Sequence, residues 1–568
     1  MEGLIVDIAL SAVARAAFVM SEENVLSLIG RGLLDRIFPR RKLLREIRAR
    51  WGKPSNKRAW LPSAHFDLTR GEVSSAYVDE KTWVDLEFPR IFSRLDNTVT
   101  PLGSQILFSR MRNYVDDPKE LAQSYALAEM LQSNNALREN IQLALTPLQD
   151  DSHAEIVDFL FGEPPEQVRH PLPLVLWSLC SLSTLAAVIV SALSVWMLLG
   201  IIAVNGLVIL RISWMRSHEN EALKGCLGLL QVADALVDIG RGVATFDVMQ
   251  QLRQERHLRK RARASFRWIS LLQLEFVKYA ETWLNIVFLF EQIVYMLTVK
   301  QFTKERGTLQ STFELLGSID AAVAIASSLE CFPDHCKPAI LDKQRIDIKN
   351  GYHPLLSNPV SNTLSLDGRS ALITGSNMAG KTTMIKMVGT NIILGRTLGF
   401  CLASQASIPR SGVMASIRSE HSVESGKSHY FSEIETLRSF IQYAREQRSG
   451  IFIIDELFSG TNTVERIAIA RAVLEKLSID AMVMVTTHDV ELQQTLSERF
   501  DLYHFQENPD VDGFFDYKLI VGAATERNAI RLLDRIGFPG EVVARAMDYV
   551  LNSIQDANTK IGEEARGS

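Results

Sequence analysis

Forty consecutive residues, Pro171 to Leu210, contain no Asp, Glu, Lys or Arg, and no other feature of this 568-residue chain restricts its folding as strongly. A bilayer core about 30 Å thick is crossed by about 20 apolar helical residues, so the run has length for two spans joined by a very tight turn. The turn is expected near Ser191 to Ser194, although no Gly or Pro marks it. Trp177 and Trp196 stand where interfacial anchors would, and Arg211 and Arg216 follow as a basic flank. The alternative is a buried helical hairpin in a soluble bundle, disfavoured because core helices seldom stay charge-free on every face for so long. A second apolar stretch, Trp283 to Val299, carries Glu291 and Gln292 and reads as a buried or membrane-adjacent helix rather than another span.

A chain of this length needs more than one core. Its net charge of −5 excludes a globally basic nucleic-acid binder but not local segregation of charge. Five cysteines argue against a disulfide framework and for a reducing compartment. Cys331, His335 and Cys336 lack the second ligand pair that a zinc finger needs. Met1 to Met20 reads as an amphipathic helix without the basic start of a cleavable signal. Two basic clusters stand out: Arg36 to Arg58, with Trp51 and Trp60 nearby, and Arg253 to Arg267, inside a helical pattern running from about Glu219 to Leu329. Either suits phosphates of lipid or nucleic acid, and either is equally well a solvated helix face.

From Ile340 onward short apolar strands alternate with helices, the pattern of an α/β domain with a largely parallel sheet. Within it, Gly375-Ser376-Asn377-Met378-Ala379-Gly380-Lys381-Thr382 fits G-x-x-x-x-G-K-[ST], after the strand Ser370 to Thr374 and before a helix that opens with Thr383. In such a P-loop the backbone N–H groups face phosphates, Lys381 reaches the β and γ oxygens, and the Thr382 hydroxyl is a ligand for Mg²⁺. Ile451 to Glu456 is an apolar strand ending in two acids, whose desolvation calls for a cation. Asp455 is the expected metal ligand and Glu456 the general base that polarises water. A third strand, from Met482, delivers Thr486, Thr487 and His488, with His488 placed to sense a γ-phosphate.

Together these residues resemble the MutS family of DNA mismatch-repair ATPases. Asn377-Met378 is the family's usual P-loop pair, whereas Ser376 and Ala379 depart from it. The segment Ser425 to Glu433 looks like the stretch in which a serine reaches the γ-phosphate bound by the opposite subunit, a role the resemblance gives to Ser428, with His429 and Tyr430 replacing the usual residues. Ser459 to Thr463 resembles the loop after the acidic pair, and 517–546 the dimer-stabilising C-terminal end. Gly351-Tyr352-His353-Pro354 is similar to the approach to the P-loop, where Pro359 and Val360 occupy the place of an adenine-packing aromatic and Tyr352 or His353 is left to assist. Arg94 to Ser104 is similar to the start of the family's helical core, and Glu314 to Asp320 to the return of its lever. Room for a mismatch-reading domain and connector is lacking before Arg94, and Phe161-Gly-Glu163 matches the Phe-x-Glu reading motif only by chance, in the wrong region.

The expected architecture is multidomain α and α/β: an N-terminal helical and basic segment (1–65), a helical core (66–170), a transmembrane hairpin (171–211), lever helices (212–338) and a P-loop ABC-type α/β ATPase domain (339–568). The resemblance implies a homodimer that hydrolyses ATP with Mg²⁺ and binds duplex DNA in mismatch repair or a related transaction. The hairpin adds membrane lipid as a partner and leaves the ATPase domain cytoplasmic. The alternative is a membrane-tethered, ATP-driven switch acting on a protein or lipid partner without DNA. An ABC transporter subunit is disfavoured, since the Leu-Ser-Gly-Gly-Gln motif is absent and one hairpin is too little membrane domain.

Overall fold

A computed structural model of the protein describes residues 39–55, 61–71, 77–150, 156–165, 172–190, 194–240, 245–266, 284–376, 378–417, 429–447, 449–458, 462–507, 515–523 and 537–549. The expected N-terminal amphipathic helix, Asn377, Ser428 and Ser459 to Thr461 lie outside these residues. Mixed helical and α/β structure is found, with two sheets, and the chain divides at 70/71, 91/92, 110/111, 121/122 and 333/334 into two compact units.

The first unit is helical. Helix α1 (Leu172–Ile189) and helix α2 (Val195–Ile239) bracket the expected turn, and Ser194 caps α2 by accepting a bond from the Trp196 N–H. The second arm of the hairpin does not end at 211. It is the start of α2, whose 45 residues extend about 68 Å at 1.5 Å per residue. Passing from apolar to charged side chains does not interrupt the backbone hydrogen-bond ladder, so the helix runs on beyond its apolar part. Nor is the expected helical run from Glu219 continuous: α2 stops before Gly240, short helices cover Asp247–Gln254 and Arg256–Ser265, and α3 spans Phe290–Cys331. α2 packs along α3.

Within α3 the buried Asp320 accepts from the N–H groups of Val99 (2.9 Å) and Thr100 (2.8 Å) and from the Thr100 hydroxyl (2.6 Å), at the start of the helix Pro101–Arg112. A Cβ on Gly103 would stand 2.2 Å from the Asp320 carboxylate, which explains the glycine after Pro101. Just before α3, Leu289 adopts φ 51° and interrupts the helix. The carbonyls of Ile286 and Val287 accept instead from the Asn205 amide (2.9 and 3.1 Å), and that of Phe288 from the Ser178 hydroxyl (2.8 Å). Asn205 in turn accepts from the Trp177 indole at 2.7 Å.

The second basic cluster is largely neutralised inside this unit. Arg259 is fully buried, 3.9 Å from Asp234, and donates to the Leu252 carbonyl, while Arg263 faces Asp234 (3.8 Å), Arg256 faces Asp238 (3.5 Å) and Arg261 faces Glu305 (3.4 Å). Part of the first cluster is engaged likewise, Arg48 gripping Glu139 at 2.7 and 2.8 Å.

The second unit holds both sheets. Strands β1 (Ala339–Leu341), β5 (Gln405–Pro409), β2 (Arg345–Gly351) and β3 (Asn362–Asp367) form one; β10 (Ile520–Val521), β9 (Phe500–His504), β4 (Ser370–Thr374), β8 (Met482–Thr487), β7 (Ile451–Asp455) and β6 (Val413–Ser416) form the other, in those orders. All pairings from β9 to β6 are parallel. Phe452, Ile454, Val483 and Val485 meet α5 (His429–Gln447) and α6 (Thr463–Asp480) in one core.

Residues 71–91 and 111–121, expected in the helical core, belong to this unit instead. Strand β6 is an edge, and its outward N–H groups are covered by their side chains: Val413 donates to the Tyr114 hydroxyl (3.0 Å), Ala415 to the Thr82 hydroxyl (2.9 Å) and Ile417, just beyond the strand, to Asp85 (2.8 Å). An open edge would be free to pair with another chain.

Candidate nucleotide site

Strands β4, β8 and β7 are neighbours and parallel, so their carboxyl ends open on one edge of the sheet, the usual place for ligands in open α/β folds. The register sets Thr374 beside Thr487 and Asp455 beside Thr486. All residues of β4 and β8 are buried, so the strand ends are rigid mounts for the polar tips that follow.

The loop from Gly375 leads into α4 (Lys381–Thr397), whose N-terminal N–H groups suit an anion. Gly375 has φ 145°, and a Cβ there would come within 2.9 Å of the Phe505 carbonyl, so no side chain is tolerated. Met378 has φ 72° and is 84% exposed. Lys381 curls back, its Nζ donating to the carbonyls of Gly375 and Ser376 at 3.0 Å each. Burial pulls the Lys381 ammonium below its ordinary pKa, opposed by the charges of Glu456 and then Asp455. Its Nζ lies 3.2 Å from His488 Nε2 and 4.0 Å from Glu456, and His488 Nε2 meets Glu456 Oε1 at 2.7 Å.

Thr382 donates to one Asp455 oxygen at 2.9 Å, and the Thr486 hydroxyl donates to the other. The Glu456 N–H donates to the Thr486 carbonyl at 3.1 Å, with the Thr486 hydroxyl at 3.3 Å, and Glu456 itself adopts φ 50°. Phe458 donates its N–H to Glu433 of α5 at 2.7 Å. A hydroxyl beside a carboxylate is a set of hard oxygen donors, which fits Mg²⁺.

A cavity of about 400 Å³ is lined by Lys381, Thr382 and Glu456 together with His353, Val360 and Tyr517. Its volume and its mixture of polar and apolar lining suit a phosphorylated nucleoside. Ser376 Oγ and His353 Nε2 are buried without a hydrogen-bond partner, and burial holds the His353 pKa down at about 4.

The structure thus brings Lys381, Thr382, Asp455, Glu456 and His488 together. Thr383 follows in the first turn of α4, and Ala379 and Gly380 complete the described part of the loop. Thr486 and Glu433 stand in motifs that the sequence marks but had no role of their own there, and Tyr517 was not expected here. Thr486 had a visible signal, a hydroxyl two residues before His488, and Glu433 ends the segment that begins at Ser425; Tyr517 is far from the P-loop in sequence.

Residues 371–554 match the family model for MutS domain V. The chain is 31% identical over 250 residues to Endonuclease MutS2 of Clostridioides difficile, covering 43% of this chain and 31% of that protein. It is 27% identical over 297 residues to DNA mismatch repair protein MutS of Salinibacter ruber, covering 49% and 32%. The match therefore spans about a third of the length of these curated relatives. With the strand order, the phosphate loop and the acidic strand end on one sheet edge, these matches make the C-terminal part of the chain similar to domain V of the MutS family.

Proposed function

We propose that this protein hydrolyses ATP to ADP and phosphate in a homodimer with composite sites. The observation that carries the reading is the convergence of Lys381, Thr382, Asp455, Glu456 and His488 beside a nucleotide-sized cavity that Lys381, Thr382 and Glu456 line. Lys381 exchanges its two carbonyl partners for phosphate oxygens, and the N–H groups of the loop from Gly375 to Thr383 cradle the rest. Thr382 and Asp455 would hold Mg²⁺, which when bound neutralises charge on the phosphates. Glu456 accepts a proton from the attacking water, and His488, already beside it, contacts the γ-phosphate. Ser428 of the opposite subunit completes each site. Mixing a Ser428→Ala protein with a Lys381→Ala protein tests this: heterodimers carry one doubly defective and one intact site, so activity partly returns. Proven subunit exchange without any recovery would defeat the composite arrangement.

The names of the relatives, an endonuclease and a DNA mismatch repair protein, support a DNA-linked role with duplex DNA as partner. Among the described residues of the second basic cluster, the exposed Arg253 and Lys260 are placed to meet phosphates, whereas Arg256, Arg259, Arg261 and Arg263 face acids. A titration of binding against salt, with perfect and mismatched duplex, tests it, because each lost phosphate contact lowers the slope by about 0.9.

A separate observation favours membrane attachment. α1 is only 11% buried, and Leu172, Leu176, Leu179, Leu182, Met197 and Leu207 are all exposed. Its 18 residues extend about 27 Å, near the thickness of a bilayer core. The hairpin would hold the protein in lipid with the ATPase domain in the cytoplasm; if no DNA binds, the remaining function is a tethered ATP-driven switch acting on a protein or lipid partner. Extraction tests it: release from membranes by high salt without detergent would contradict a spanning hairpin.

A further inference from the structure

His488 is poorly held by packing. Its side chain is 38% exposed and its ring touches Glu456 and Lys381, two residues that must themselves move when phosphate enters. The next residue is different. The Asp489 carboxylate, 10% exposed, receives two parallel bonds from Arg466, Nε to Oδ2 at 2.9 Å and Nη2 to Oδ1 at 2.6 Å. The Asp489 N–H donates to the Thr487 hydroxyl at 3.0 Å, fixing the turn on the other side of His488. Arg466 sits in the first turn of α6, on the segment that leaves β7 after Glu456.

Two segments therefore leave adjacent strands and are tied at two levels: Glu456 to His488 near the cavity, and Arg466 to Asp489 one step outward. A planar guanidinium bonded twice to a carboxylate fixes orientation as well as distance, and shielding from water strengthens it over an exposed pair. We propose that Arg466 and Asp489 are a positioning pair that keeps the His488 ring within reach of Glu456 and Lys381 during turnover. The inference rests on the ATPase reading. Neither residue touches the nucleotide cavity, so both act through His488.

The test uses the full-length dimer and steady-state ATP hydrolysis. Arg466→Ala and Asp489→Ala should each lower kcat by about tenfold to a hundredfold, the cost of a misplaced group near the reacting atoms, while KM stays within about threefold. The double variant should be no worse than the poorer single, because both remove one interaction. In a His488→Ala background, Arg466→Ala should add nothing. Arg466→Lys keeps the charge without the fork and serves where an alanine variant is unstable; it should fold and still lose kcat. Additive losses, a loss confined to KM, an equal loss in the His488→Ala background, or wild-type kcat in Arg466→Lys would each overturn the pair. A wild type that neither binds nor hydrolyses ATP would instead sink the ATPase reading itself.

Discussion

The backbone gives up regular hydrogen bonding at Leu289 and again at Gly375, and the two places settle the freed carbonyls in opposite ways. At Leu289 the carbonyls of Ile286, Val287 and Phe288 are taken by Asn205 and Ser178, short, uncharged side chains with few rotatable bonds. At the P-loop the carbonyls of Gly375 and Ser376 are taken by Lys381, a long cation with four rotatable bonds and two further polar neighbours. The first is a joint and the second a placeholder. A buried carbonyl must have a partner in either case; what differs is whether that partner is free to leave when a stronger acceptor arrives.

The largest expected effect lies on the placeholder side. Glu456→Gln should lower kcat by about a thousandfold, as expected for loss of a general base, yet retain ATP and accumulate a closed dimer, because Lys381, Thr382 and Asp455 remain. Lys381→Ala should instead weaken nucleotide binding itself. If both variants lost binding equally, the division between holding phosphate and activating water would be wrong.

On the joint side, Asn205→Leu should destabilise the folded protein by about 2–4 kcal/mol, since two partly buried carbonyls and the Trp177 indole lose their partner together. Thermal unfolding in detergent reads this, and nucleotide affinity of the surviving folded fraction should not change. A coupled loss of ATP affinity would mean that Leu289 is no fixed joint.

The third expectation concerns His353, a buried residue in the lining of the nucleotide cavity, with its pKa held down at about 4 against an ordinary value near 6.5. The unfolded chain therefore binds a proton in a range where the folded one does not, so stability is present above about pH 6.5 and is lost as pH falls toward 4. The loss is at most about 3 kcal/mol at 1.36 kcal/mol per pH unit. His353→Gln should flatten the denaturation midpoint across that window. Bound ATP should raise the whole curve, which separates a ligand effect from an intrinsic one.

The legible parts of this chain were those in which one short segment declares its own chemistry. Gly375 to Thr382 does so by spacing, Ile451 to Glu456 by an apolar strand that ends in acids, and the turn between α1 and α2 by the ends of its apolar arms. What stayed hidden depends on partners distant in sequence. Arg259 reads as one more surface cation until α2 brings Asp234 to it. Arg466 and Asp489 are ordinary charges until β7 and β8 lie side by side. The length of α2 was hidden for another reason: hydropathy reports what surrounds a helix, not where its backbone stops.

The covered edge of β6 bears on how such a protein is divided. A fragment beginning after residue 333 would look like a whole ATPase domain by sequence, yet it would leave behind Thr82, Asp85 and Tyr114, the groups that cap Ala415, Ile417 and Val413 in that order. Such a fragment should associate through its bare strand and misreport both oligomeric state and turnover. Any exchange of this domain between chains, in the laboratory or in evolution, has to carry those upstream segments with it, so the portable module is discontinuous in sequence.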